Sequence, residues 1–266
     1  MDQGDVAESP NAFVERAADR QEGRLELAVA YSSPRHTAFQ KRALTRVVAL
    51  AGIAAPVLLG IFQYYAVTKT PGYDWVSQTI SALASPGTPH PAIMQSAIVA
   101  YHAVVMMLAL TVWRLVGHDR RLLPGLVLMF VYAIGGLSTG VFQNDSPSVV
   151  VFRLSEGTIH DYSAYFSLTI FGFAVIAFIV GTHRNSHWHR FSQISLLLLL
   201  IGAAFAIPIP LDVWIPWHGV LERVVFALSG FWIALFSAYV YRVAVKLPIR
   251  TTTTAPNDQK ASVNAM

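Results

Sequence analysis

Six long apolar runs separated by polar segments dominate the chain: Val47–Val67, Ala92–Trp113, Leu122–Phe142, His160–Val180, Phe191–Leu211 and Val220–Tyr241. Each has about 21 residues, and at 1.5 Å per residue a helix of that length covers roughly 30 Å, the hydrocarbon thickness of a bilayer. Helices of this length satisfy their own backbone in lipid, so the runs predict an all-α membrane protein built as a six-transmembrane-helix bundle. Between the first two spans the pattern changes. In PGYDWVSQTISALASPGTP (Pro71–Pro89), Asp74, Ser77, Gln78, Ser81 and Ser85 recur on one helical face, and Val76, Ile80 and Leu83 on the other. Asp74 suits an N-cap, and Pro86 with Gly87 forms a stop. The spacing predicts a short amphipathic interfacial helix over Asp74–Ala84, at the outer side of the bundle.

The flanks are polar. Residues 1–46 read as a loosely ordered cytoplasmic tail, with no signal-peptide pattern at the start. Residues 246–266, with their run of four threonines, read as a disordered cytoplasmic tail. The membrane domain is expected over 47–245. Sixteen of the nineteen lysines and arginines fall in the tails and the even-numbered loops, leaving Lys69, Arg153 and Arg223 for the other side. The positive-inside rule therefore predicts a multi-pass cell-membrane protein, at the plasma membrane, with both termini cytoplasmic.

Composition adds little but agrees. The chain is 54% hydrophobic and 13% charged, with a mean hydropathy of +0.48, where soluble domains carry about 25% charged residues. It has no cysteine, which excludes disulfides and thiolate chemistry. The net charge of +4 is spread over separate segments, so nucleic acid is not an expected partner. Within the spans, Gly136 with Gly140 and Gly202 with Ala206 predict close small-residue contacts between helices. Pro56 predicts a kink, and Trp214 and Trp217 predict interfacial anchors.

Candidate chemistry collects at one rim. Apart from His102, the middles of the spans lack ionisable groups, which disfavours ion pumping. The outer rim holds Asp74, Ser77 and Ser81, then Asp145, then Glu156 with His160 and Asp161, and finally His218, Glu222 and Arg223. Carboxylate, imidazole, hydroxyl and guanidinium at the lip of a bundle are the components of acid–base hydrolysis or headgroup binding. Each also has a structural reading, as a cap or as a charge near a helix end. His160 and His218, with aspartates beside them, are the expected ligands if a zinc ion is held.

Two of these stretches resemble a known family. YDWVSQTISALASPGTP is similar to a Y-(S/D)-x-x-S-x-x-I-S-x-L segment, and GGLSTGVFQNDSP to a G-x-G-(V/I)-F-P-x-D signature, both found in a prokaryotic membrane-protein family catalogued as domain of unknown function 998. The resemblance covers about residues 45–245. It implies a six-span fold and marks Asp74, Ser77, Ser81, Asp145, His160 and Arg223; Gln143 and Asn144 depart from the family's proline-containing turn. It implies no substrate.

Three function classes follow from these readings. The first is an intramembrane enzyme acting on a lipid headgroup or lipid-linked substrate at the outer leaflet, with His160 as base, Asp74 or Asp145 orienting it, Ser77 in the same catalytic cluster, and Arg223 as anion clamp. The second is a non-catalytic membrane protein: a lipid or small-ligand binder, a sensor or an assembly partner. In either case Ser81, Glu156, Asp161, His218 and Glu222 are the expected binding residues. A small-solute transporter ranks third, since broken polar helices at the midplane are missing from the pattern. Arg223, about one turn inside the sixth span, is expected to face Asp145.

Overall fold

The structure is a computed structural model that describes residues 34–116, 120–151, 153–186, 188–211 and 213–246. The tails expected before Pro34 and after Lys246 lie outside the described residues. Six helices are long and apolar enough to cross a membrane. They are α1 Pro34–Thr68, α2 Pro91–Val116, α3 Leu123–Val141, α4 Glu156–Thr182, α5 His189–Ala206 and α6 His218–Lys246. The chain is a multi-pass membrane protein. Among the described residues the only strands form a small antiparallel hairpin, β1 Val149–Val151 with β2 Leu154–Ser155, in the α3–α4 loop.

Two helix ends differ from the apolar runs. α1 begins at Pro34, so residues 34–46 are helix and not loose tail; proline suits the first helical position, and Lys41, Arg42 and Leu44 are good helix formers. α5 stops at Ala206, short of Leu211, because Pro208 and Pro210 offer no N–H to continue it. α4 is capped by Ser155, whose hydroxyl accepts the Thr158 N–H at 3.1 Å.

Within the compact unit Thr45–Lys246, α2 packs on α3, α3 on α4, α4 on α5 and α5 on α6, and α6 returns to α2. α1 joins through glycine contacts. A Cβ on Gly230 of α6 would lie 2.8 Å from the Pro56 ring, and one on Gly52 would lie 2.3 Å from Ser237 Oγ. Between the helices runs a series of ring contacts. Tyr132 meets Phe171, Phe171 meets Trp232, and Trp232 stacks on Phe236 with centroids 5.5 Å apart. The buried indole N–H of Trp232 donates to Ser195 Oγ at 2.9 Å, which satisfies the polar end of an otherwise apolar anchor.

The small-residue expectation holds in α3 and fails in α5. A Cβ on Gly136 would stand 2.1 Å from the His102 ring, and one on Gly140 would stand 2.6 Å from Val99 Cγ2, so α2 and α3 meet through these glycines. Gly202 makes no such contact: nothing lies within 4 Å of a Cβ built there. It lines a cavity with Ala206 instead. The reason is loose packing of α5, whose most apolar stretch is 17% buried where those of α2 and α3 are 44% buried. Trp214 and Trp217 are 59% and 56% exposed beside the start of α6, as interfacial anchors require.

Candidate functional site

The loops joining α1 to α2, α3 to α4 and α5 to α6 share one rim of the antiparallel bundle, called here the loop rim. The segment expected to be one amphipathic helix over Asp74–Ala84 is instead a turn followed by a short 3-10 helix, Ser81–Ala84. Asp74 does cap the turn: Oδ1 accepts the Val76 N–H at 3.0 Å and Oδ2 accepts the Ser77 hydroxyl at 2.6 Å. Those two hydrogen bonds, Ser77's first, hold the Asp74 carboxyl below its ordinary pKa. Gln78 returns the favour, its side-chain oxygen accepting the Asp74 N–H at 2.8 Å. Of the three apolar residues expected to face the bundle, Ile80 and Leu83 are 2% and 1% exposed and Val76 is half-buried.

What breaks the helix is the start of α6. Arg223 Nη1 donates to the carbonyls of Trp75, Gln78 and Gly219 at 2.9, 3.0 and 2.7 Å. Nη2 donates to the Tyr73 hydroxyl, over whose ring the guanidinium lies at 5.6 Å. That hydroxyl in turn donates to the Thr79 carbonyl at 2.7 Å. Glu222 accepts the N–H groups of Ile80 and Ser81. Two adjacent side chains of opposite sign thus take the carbonyls at one end of the turn and the N–H groups at the other, bonds that a continuous helix would have kept for itself. Burial raises the Tyr73 pKa, and the nearby Arg223 charge partly offsets the rise. Gly219 makes the approach possible, because a Cβ there would lie 2.3 and 2.6 Å from the Gln78 and Trp75 carbonyl oxygens. The Val220 N–H adds a bond to the Val76 carbonyl at 3.1 Å.

Inside this clasp lies a cavity of about 320 Å³. Ser81, Asp145, His160, Asp161 and Glu222 stand in its wall toward the rim, and His102, Tyr132 and Phe171 stand deeper. Asp145, with φ 55°, sits in the left-handed region. Its Oδ2 accepts from Asn144 Nδ2 at 2.9 Å and from the Ser85 hydroxyl at 3.2 Å, which ties the α3–α4 loop to the α1–α2 loop. Gly157 lets that loop lie against the first turn of α4, since its Cβ position is 3.1 Å from the Asp145 nitrogen. His160 is 3% exposed. Its Nδ1 is 3.0 Å from the Phe142 carbonyl; a carbonyl only accepts, so Nδ1 donates there and Nε2 is the ring nitrogen left to the cavity wall. His102 is bonded the same way, Nδ1 to the Ile98 carbonyl at 2.9 Å. Among the described residues no group donates a hydrogen bond to Asp161.

The expected site residues therefore divide. Ser81, Asp145, His160, Asp161 and Glu222 share the cavity, while Asp74, Ser77 and Arg223 belong to the clasp. Arg223 does not face Asp145; backbone carbonyls and Tyr73 satisfy it, and it is not placed as an anion clamp in the cavity. Glu156 opens α4 as the acidic residue of its first turn, with its N–H on the Ser148 carbonyl at 2.9 Å. His218 opens α6, and its Nε2 is buried with no hydrogen-bond partner. Among the described residues no three His, Asp or Glu side chains are grouped to hold a metal ion. Tyr73 and Gly219 are participants that the polar inventory passed over, and His102 and Asn144, which the sequence singles out without assigning them to the site, line the cavity. Tyr73 and Gly219 each lay beside an expected residue.

A family profile with the description "Protein of unknown function (DUF998)" matches residues 53–239. No curated protein and no solved structure matches the chain.

Proposed function

The chain belongs to the DUF998 family, and for it we propose a binding function: the loop-rim cavity holds a small organic cation, without turning it over. The observation that carries this is the charge of the lining, which has three carboxylates, Asp145, Asp161 and Glu222, and no lysine or arginine among the described residues. A cation gains from such a wall, and a phosphate finds no positive partner in it. Asp145 and Glu222 already accept protein hydrogen bonds, which leaves Asp161 as the carboxylate for the ligand. Tyr132, Tyr165 and Phe171 in the same wall offer ring faces to an ammonium group. A volume of about 320 Å³ falls within the range of small-molecule sites, about 300–1,000 Å³. The basic asymmetry of the sequence supports a rim that opens outside the cell, with both termini cytoplasmic. Reporter fusions after Asp145 and Trp217 then read external, and one after Arg190 reads cytoplasmic.

Calorimetric titration of the protein in nanodiscs with tetramethylammonium tests the reading. Saturable binding that Asp161→Asn weakens at least tenfold supports it. Binding of inorganic phosphate with no binding of the cation overturns it. One observation favours a second reading, a hydrolase that uses His160 as general base: the Phe142 carbonyl fixes the ring so that Nε2 is the basic nitrogen in the cavity wall. Under that reading His160→Gln abolishes turnover of a bound ester while leaving cation affinity unchanged.

A further inference from the structure

The acidic cavity shares a wall with a second one. Between α4, α5 and α6 lies a cavity of about 350 Å³, and Tyr165, Leu168, Phe171, Val225 and Ser229 line both. The second cavity is apolar on its α5 side, where Leu198, Leu199, Ala203 and Ala206 face it and Gly202 leaves open space. At its edge Tyr165 and Ile207 are 45% and 59% exposed, so it opens sideways, where a membrane helix meets lipid. An acidic chamber and an apolar chamber one side-chain layer apart match the two halves of an amphiphile. The sideways opening lets an alkyl chain enter from the bilayer without crossing water.

Resting on the cation-binding reading above, we infer that the ligand is a single-chain cationic amphiphile. Its ammonium group lies among Asp145, Asp161 and Glu222, and its chain passes the Phe171–Ser229 wall into the groove beside Gly202. The apolar chamber, about 350 Å³, stands near the lower end of the roughly 300–1,000 Å³ range for small-ligand sites, which suits a single chain. The exposed edge of the groove at Tyr165 and Ile207 gives a membrane-borne molecule a way into both chambers.

The test uses the full chain in nanodiscs and dodecyltrimethylammonium bearing a diazirine at the end of its chain. After photolysis, labelled peptides are mapped, and tetramethylammonium binding is measured separately by calorimetry. The expected result is labelling concentrated in residues 198–206 that falls at least tenfold in Asp161→Asn. Gly202→Phe, which fills the groove without touching the carboxylates, should remove that labelling and leave tetramethylammonium affinity unchanged. If tetramethylammonium binds but the chain end labels only residues of the acidic cavity, the headgroup reading stands and the amphiphile inference is overturned. Labelling of 198–206 that Asp161→Asn leaves intact also overturns it, since the groove is then ordinary lipid-facing surface or a contact with a second copy. Failure of tetramethylammonium to bind at all brings down both.

Discussion

α3 and α5 carry the same pattern, a glycine followed four residues later by a second small residue, and the structure puts it to opposite uses. In α3, Gly136 and Gly140 are filled from outside by the His102 ring and Val99, and α2 closes on α3. In α5, Gly202 meets nothing, and with Ala206 it borders a cavity. The pattern says only how near another group can come. Whether anything comes is decided by the partner: α2 presents a ring and a branched side chain at the right height, while α4 and α6 present the wall of a chamber. Filled, the glycine is a packing residue. Unfilled, it is room for a ligand.

Substitution series at the glycines separate these cases. The largest effect is expected at Gly219, where the obstructing atoms are backbone oxygens that cannot swing aside. Gly219→Ala should cost about 3 kcal/mol, the upper end for overpacking, read as a lower unfolding temperature and faster proteolysis after Lys69. Gly136→Ala should cost about 2 kcal/mol by collision with the buried His102 ring. Adding His102→Ala to it should cost less than the two single changes summed, and strict additivity would mean the ring is not what fills the glycine. Tyr73→Phe keeps the volume and deletes the hydroxyl between Arg223 and the Thr79 carbonyl; about 1–2 kcal/mol is expected, because a charge-assisted bond is lost. Gly202→Ala should lie within about 0.5 kcal/mol of zero. A cost like that of Gly136→Ala would show that α5 packs as tightly as α3 and that the groove is closed.

The smallest effect concerns pH. Asp74 is exposed, and its carboxyl is held below the ordinary aspartate value of about 3.8 by Ser77 and Val76. A depressed carboxylate adds stability above its unfolded pKa and loses it as pH falls through the folded one. The difference in melting temperature between the parent and Asp74→Asn should therefore be present at neutral pH, shrink as pH falls past about 3.8 and vanish below the lowered folded pKa.

Much of this architecture is legible in the chain. The six apolar runs give the helices because length and hydropathy are one-dimensional quantities. The spacing of Ile80 and Leu83 gives their burial, and Asp74 gives its own cap. What the chain hides is competition between distant groups. Nothing local in YDWVSQTISALA shows that Arg223 will take the carbonyls of Trp75 and Gln78 from the helix they would otherwise build. A guanidinium near a helix start reads as a charge in want of a carboxylate. That oriented carbonyls can satisfy it equally well depends on Gly219, whose role emerges only when the two segments are brought together. The pairing of Asp145 with Ser85, and its separation from Arg223, are hidden for the same reason.

The clasp also fixes an order of assembly. Ile80 and the Glu222 that receives its N–H are separated by 142 residues, so the loop between α1 and α2 finds its partner only in α6, the sixth of the described spans. During synthesis the N-terminal spans enter the membrane while α6 is still absent. Until it arrives, the carbonyls at 75 and 78 and the N–H groups at 80 and 81 lack their Arg223 and Glu222 partners. The acidic cavity lacks its Glu222 side for the same interval. A chain released early is thus an open vessel with a slack rim, and the arrival of one Gly-x-x-Glu-Arg turn both latches the rim and completes the chamber.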